Sequence, residues 1–117
     1  MTRRTRLLAA AATCAAIALP AVGAAPAAAK TCGGLPDYPG QGYYLKLTVK
    51  GTSCASGKSV MKAHYKCRTK HGIKGKCGSV SGYSCSEKRN AISTEYSSRV
   101  TCKSGTKKVV YYYQQNT

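Results

Sequence analysis

Six cysteines are spread through the chain after residue 29, and they constrain its fold more than any other feature. They are Cys32, Cys54, Cys67, Cys77, Cys85 and Cys102. An even number of cysteines in a short exported chain predicts disulfide bonds, here three, each of which stabilises a fold by ~2–4 kcal/mol. Six cysteines can pair in many ways, and the sequence alone does not choose among them.

The first 29 residues have the pattern of a secretory signal peptide. Arginines in residues 3–6 precede an alanine-rich apolar run in residues 7–18, and small residues lead up to Ala29. The run is too short and too rich in alanine for a comfortable membrane span. We therefore expect cleavage after Ala29 and a mature chain that is secreted or associated with the cell envelope.

The mature chain has few large apolar side chains. It contains no Trp or Phe and only twelve Leu, Ile, Val and Met residues. A domain of this size buries a modest share of its surface, and such scaffolds depend on covalent cross-links. We therefore expect an irregular N-terminal arm in residues 30–42 and one small disulfide-stabilised domain in residues 43–117.

Residue patterns predict a first strand followed by a helix. Leu45, Leu47 and Val49 alternate with polar residues in 43–50, which is typical of a half-buried strand. Residues 53–70 have helical spacing, and the predicted inner face carries Cys54, Gly57, Val60 or Met61, His64, Cys67 and His71.

The rest of the chain predicts three more strands. They lie near residues 80–86, in residues 95–103 with Tyr96, Ser98, Val100 and Cys102 inward, and in the closing stretch "VVYYYQQ". Residues 87–94 have the composition of a polar loop. This order predicts an α+β domain with one helix packed on a three- to four-stranded antiparallel sheet.

The stretch "GTSCASGKS" (residues 51–59) invites comparison with a phosphate-binding loop. Five residues separate Gly51 from Gly57, one more than the loop of nucleotide hydrolases allows. The acidic ligand that such enzymes need for magnesium is also missing, because no Asp or Glu occurs between Asp37 and Glu87. We therefore expect no nucleotide here, but a helix start capped by Thr52 or Ser53.

A metal site is the next candidate. His64, Cys67 and His71 share one helix face and carry atoms that zinc accepts. In an oxidising compartment, however, the thiol is expected in a disulfide. We expect neither a metal nor another cofactor.

Lysines recur every four residues on the opposite side of the predicted helix. The lysine stripe comprises Lys58, Lys62, Lys66, Lys70 and Lys74, with Lys76 as its continuation. Like charges at this spacing disfavour a helix by ~0.2–0.5 kcal/mol per pair. The stripe is either a solvated face or a binding site for an anionic partner. Candidate partners are a cell-wall polymer, lipid headgroups, nucleic acid and an acidic protein, and for nucleic acid the aromatic complement would be Tyr111, Tyr112 and Tyr113.

Two further functions remain as alternatives. A secreted nuclease-like enzyme or toxin would need a general acid and a general base, for which the candidates are His64, His71, Glu87, Glu95 and Arg99. A protease inhibitor would present basic residues of the predicted 87–94 loop to a protease. We favour a monomeric, non-enzymatic binding module, because no residue pattern brings the candidate catalytic groups together.

Several short motifs resemble a group of small exported proteins of actinobacterial type. "GTSC", "AHYKC", "GKC", "GYSC" and "RVTC" occur here in that order and are followed by an aromatic strand ending in "YQQ". Proteins of this group carry GTSC, YxxC, GxC, G[YF]xC and VTC in the same order. The resemblance spans residues 45–115 and implies a common fold and cysteine framework, but no activity. Cys32 departs from the pattern.

Overall fold

The computed structural model describes residues 28–117, so the predicted signal peptide lies outside the described residues except for its last two positions. In this part of the chain one helix, α1 (Cys54–Arg68), continues into a 3-10 turn (Thr69–His71). The strands are β1 (Lys30–Thr31), β2 (Gly42–Lys50), β3 (Ser79–Val80), β4 (Tyr83–Ile92), β5 (Glu95–Ser104) and β6 (Lys107–Asn116).

The six strands form one antiparallel sheet in the order β1-β2-β6-β5-β4-β3. The predicted class, α+β with one helix on an antiparallel sheet, is confirmed. The predicted count of three to four strands is too low. Two strands of only two residues each add to the sheet edges, and one of them, β1, lies in the segment predicted to be an irregular arm.

The predicted polar loop at residues 87–94 is wrong, because β4 continues to Ile92 and only a tight turn follows. The inward positions of this part of β4 are Glu87 and Arg89 rather than apolar residues. An alternating pattern of apolar and polar residues is therefore missing although the strand is present. Charged residues that face the core made this strand look like a loop.

The inner face of the sheet, which faces α1, follows the predicted alternation with one exception. Tyr96, Ser98, Val100 and Cys102 are buried as expected, and β6 buries Val109, Tyr111, Tyr113 and Gln115. Leu45 was predicted inward but is 52 % exposed. A β-bulge between Tyr44 and Lys46 shifts the register at this point and turns Leu45 away from the core.

Helix α1 packs closely on β2. Its buried residues include the predicted Gly57, Val60, Met61 and His64. An ideal Cβ on Gly57 would lie 2.6 Å from Val49 Cγ1, so only glycine allows this close approach. The helix begins after Ser53, whose side-chain oxygen accepts a hydrogen bond of 3.1 Å from the Ser56 amide. The second glycine of "GTSCASGKS" is thus a packing residue within a helix.

Three disulfides cross-link the fold. They join Cys32 to Cys54, Cys67 to Cys77 and Cys85 to Cys102. The first holds the N-terminal arm against the start of α1, the second ties the end of α1 to the connector that leads to β3, and the third joins β4 to β5. No helix in residues 28–117 is long and apolar enough to cross a membrane. The three disulfides are compatible with an extracellular protein.

We predict that Gly57→Ala destabilises the protein although alanine is the better helix former. The new methyl group would collide with Val49, and overpacking of this kind costs ~1–3 kcal/mol. Chemical denaturation at neutral pH would measure the change in the free energy of unfolding.

Gly78→Ala is the matched control. A Cβ at Gly78 meets no atom within 4 Å, so this variant should be as stable as the wild type or slightly more stable. Equal stability of the Gly57→Ala variant and the wild type would show that the helix can move away from the sheet without cost.

Candidate functional site

The structure brings one predicted pair of catalytic candidates together. His64 Nε2 lies 3.9 Å from Glu87 Oε2, between α1 and the inner face of the sheet. The other candidates lie elsewhere: His71 is exposed at the end of the 3-10 turn, and Glu95 begins β5. Arg99 is exposed on the outer face of the sheet, which points away from α1.

Glu87 is the centre of a buried polar network. Its Oε1 atom accepts hydrogen bonds from Arg89 Nε at 2.6 Å, Tyr113 OH at 2.7 Å and Ser98 Oγ at 2.8 Å. Burial alone would raise the pKa of this carboxyl group, but the three donors outweigh it, so the pKa of Glu87 lies below its ordinary value. Glu87 is therefore an anion at neutral pH.

Arg89 extends the network to the connector before β3. Its two terminal nitrogens donate to the carbonyl oxygens of Lys74 and Gly75 at 2.8 and 2.6 Å. The guanidinium also lies 4.6 Å from the ring centre of Tyr96. Arg89 thus fixes the connector to β4.

Arg68 places a second guanidinium group in this region, and the sequence did not predict that it lies in the core. Its side chain is 1 % exposed, and its guanidinium lies 4.0 Å from the ring centre of Tyr113. It donates to the hydroxyl groups of Tyr38 and Tyr96 and to the Ile73 carbonyl oxygen. Burial, opposed by Arg68, raises the pKa of Tyr38 to about 12, so this hydroxyl is neutral and also donates to Gln115 Oε1 at 2.6 Å.

His64 is neutral in this environment. Burial lowers the pKa of His64 to about 4, although the Glu87 carboxylate opposes this shift. Its Nε2 atom faces Glu87, which can only accept hydrogen bonds, so we place the proton on Nε2. The Nδ1 atom then accepts a hydrogen bond from Tyr111 OH.

Both members of the His64–Glu87 pair are closed to solvent. Their side chains are 0 % and 5 % exposed. His64 Nε2 and Glu87 Oε2 are buried atoms without a hydrogen-bond partner. Because both atoms are buried between α1 and the sheet, a substrate cannot reach them in this fold, and the network holds the helix to the sheet.

The candidate zinc ligands do not converge on one point. Cys67 is bonded to Cys77, His64 is buried and His71 is exposed. Within residues 28–117 no group of three or more His, Cys, Asp or Glu side chains has the geometry to hold a metal ion.

The lysine stripe lies partly on the helix and partly beyond it. Lys62 and Lys66 are exposed on the side of α1 opposite its buried face, and Lys58 is half-buried near Gly34. Lys70 follows in the 3-10 turn. Lys74 and Lys76 belong to the connector. The predicted helical periodicity thus extends beyond the actual helix.

Sequence reasoning missed Arg68 and Tyr38 as core residues. The signal for Arg68 was its spacing, since it lies four residues after His64 and therefore on the same helix face. No local pattern indicates Tyr38, because its segment has no regular structure and its partners are distant in sequence.

We predict that acid destabilises the protein through His64. In the unfolded chain the pKa of histidine is ~6.5, whereas in the fold it is about 4. Between these values the unfolded state binds a proton that the folded state does not, so stability falls as the pH falls. The loss by pH 4 should be on the order of 3 kcal/mol, measured by denaturation at pH 7, 6, 5 and 4.

His64→Gln should flatten this pH dependence, while His71→Gln, at an exposed position, should leave it unchanged. An NMR titration of the wild type offers a check that needs no variant, because the His64 ring should stay neutral down to a pH of about 4. Protonation of His64 near pH 6.5 would contradict this description of the core.

Comparisons with known proteins give the chain no relative from which a function can be carried over. No family model, no curated protein and no solved structure matches it. The resemblance to small exported proteins of actinobacterial type therefore stays a prediction.

Proposed function

We propose that this protein is a secreted, non-enzymatic binding module that holds an anionic partner on its basic surface. The observation that carries the proposal is the lack of internal partners for its lysines. Among residues 28–117 the ion pairs involve Glu87 with Arg89 and His64, and no lysine lies within 4.0 Å of a carboxylate.

The charge balance leaves few carboxylates with which these lysines could pair. The whole chain has nineteen Lys and Arg residues against three acidic ones. Glu87 is used inside the core, Asp37 lies in the N-terminal arm and Glu95 begins β5. Lysines of the stripe therefore repel one another along α1 without compensation, and an external anion would relieve that repulsion.

Burial of the His64–Glu87 pair favours this proposal over a nuclease. General acid–base catalysis needs both groups within hydrogen-bond reach of the substrate, and the two side chains are only 0 % and 5 % exposed.

The protease-inhibitor alternative has lost its main support. Residues 87–92 form part of β4 instead of a protruding loop, and Arg89 points inward to Glu87. A basic residue held in this way is not presented to a protease.

We predict that the double variant Lys62→Gln/Lys66→Gln binds inorganic polyphosphate more weakly than the wild type. Each lost lysine–phosphate contact reduces counterion release, so the slope of log affinity against log salt should fall by roughly 1.4 for two contacts. Titration of the purified protein at several salt concentrations would measure both quantities.

Lys30→Gln/Lys107→Gln is the control with the same change in net charge at positions outside the stripe. It should retain more of the affinity and a steeper salt dependence. Equal losses in the two double variants would mean that only total charge matters. Lack of polyphosphate binding by the wild type at low salt would exclude a phosphate polymer as the partner.

A further inference from the structure

A second basic surface covers the outer face of the sheet. Directly paired residues of an antiparallel ladder point to the same side, so the strand register shows which side chains share this face. One row across β2, β6, β5 and β4 contains Lys46, Tyr112, Arg99 and Lys88. Four residues further along the strands, another row contains Lys50, Lys108 and Lys103.

Cations on the outer face lie opposite one another on neighbouring strands. Arg99 pairs directly with Lys88, and Lys108 pairs with both Lys50 and Lys103. Like charges directly opposite one another destabilise a sheet. Glu95 shares this face but lies four residues before Arg99 on β5, ~14 Å away along the strand. The outer face therefore presents a positive field without a nearby internal counter-charge.

Aromatic and apolar groups lie among these cations. Tyr43, which pairs with Gln114 on the outer face, is 49 % exposed, and Leu45 at the β-bulge is 52 % exposed. Tyr112 is half-buried between Lys46 and Arg99. Its neighbours Tyr111 and Tyr113 point into the core, so the predicted aromatic run contributes a single ring to this surface.

Tyr112 lies between two shallow grooves. One, of about 330 Å³, is lined by Leu45, Lys88, Asn90, Ser97 and Arg99 as well as Tyr112. The other, of about 260 Å³, has Tyr112 and Val110 beside Lys46, Lys50 and Lys108, and is also lined by the last residue of the predicted signal peptide, Ala29. Each groove thus combines an aromatic wall with cations, and the larger one adds the amide of Asn90 and the hydroxyl of Ser97.

We infer that the outer face binds single-stranded nucleic acid, with phosphates on the two cationic rows and bases against Tyr112 and Tyr43. Stacking of bases on aromatic side chains in a basic groove is the usual way in which proteins hold single strands. Asn90 and Ser97 supply hydrogen-bonding groups for base edges. This inference rests on the proposed function, because it names single-stranded nucleic acid as the anionic partner. It places that partner on the outer face of the sheet, which is separate from the lysine stripe.

Two other ligand chemistries fit the outer face less well. A polymer with phosphates but no bases would use the cations and leave Tyr43, Leu45 and Tyr112 exposed to water. A nucleic acid duplex keeps the faces of its bases stacked inside the helix, so they cannot contact Tyr112.

The test compares ligands that differ only in their bases. A fluorescently labelled oligothymidylate and an abasic oligonucleotide of the same length carry the same phosphates. We expect the purified protein to bind the oligothymidylate roughly tenfold more tightly, because stacking adds to the electrostatic contribution. Anisotropy titrations at fixed salt would measure both affinities.

Tyr112→Ala should remove this preference by weakening oligothymidylate binding roughly tenfold and leaving abasic binding unchanged. If Tyr112→Ala does not fold, Tyr43→Ala at a more exposed position can replace it and should also weaken oligothymidylate binding. Ile73→Ala is the matched control, because Ile73 is 40 % exposed in the connector, away from this face. Lys88→Gln/Arg99→Gln should weaken binding of both oligonucleotides.

NMR shift mapping on the wild type gives a readout that needs no variant. Amides of β4, β5 and β6 near Asn90, Arg99 and Tyr112 should shift when oligothymidylate is added. Shifts confined to α1 would overturn the inference.

The remaining outcomes separate this inference from the proposed function. Equal affinity for the oligothymidylate and the abasic strand, or tighter binding of a duplex of the same length, would overturn the inference and leave the anion-binding module in place. Failure to bind these oligonucleotides and polyphosphate alike at low salt would overturn both.

Discussion

Arg68 reaches from the end of α1 into the space between the helix and the sheet, where water cannot solvate its charge. A buried cation is tolerated only when hydrogen bonds and nearby electron-rich groups replace that water. Here the hydroxyl groups of Tyr38 and Tyr96, the Ile73 carbonyl oxygen and the ring of Tyr113 do so. The N-terminal arm, the helix end and the central strands are all positioned around this one side chain.

The choice of tyrosine for the core follows from the same constraint. With no Phe or Trp in the chain, tyrosine supplies the buried aromatic volume, and its hydroxyl group needs a partner when buried. Glu87, His64, Gln115 and Arg68 are such partners. The polar network is thus a consequence of building a small core from tyrosine, and the disulfides hold its borders.

The distribution of charge links this core to function. In the core and at its rim, the Glu87 carboxylate and the guanidinium groups of Arg68 and Arg89 have hydrogen-bond partners within the protein. Among residues 28–117, most of the other lysines and arginines lie along the lysine stripe on one side or across the outer face of the sheet on the other. Two basic surfaces on opposite sides of a small domain fit the proposed anion-binding module, and the outer face also carries the aromatic rings of Tyr43 and Tyr112.

Local chemistry in the sequence was sufficient for the helix and a cap at Thr52 or Ser53, for strands β2, β5 and β6, and for the even set of six cysteines. These features depend on neighbouring residues, on 3.6- or two-residue periodicity and on side chains that cap or turn the backbone. The candidate pair His64 and Glu87 was also named, but a sequence does not give the distance between residues on a helix and a strand.

Tertiary structure decided the features that depend on contacts between distant residues. It selected the disulfide pairing, placed Leu45 outside through a bulge, and made a strand of residues 87–92 although they look like a loop. It also placed Tyr112 on the outer face and Tyr111 and Tyr113 in the core. Alternation along the strand shows that Tyr112 faces away from its two neighbours, but not which side of the sheet is the core. The physical reason is that burial and pairing with partners far along the chain override local preference.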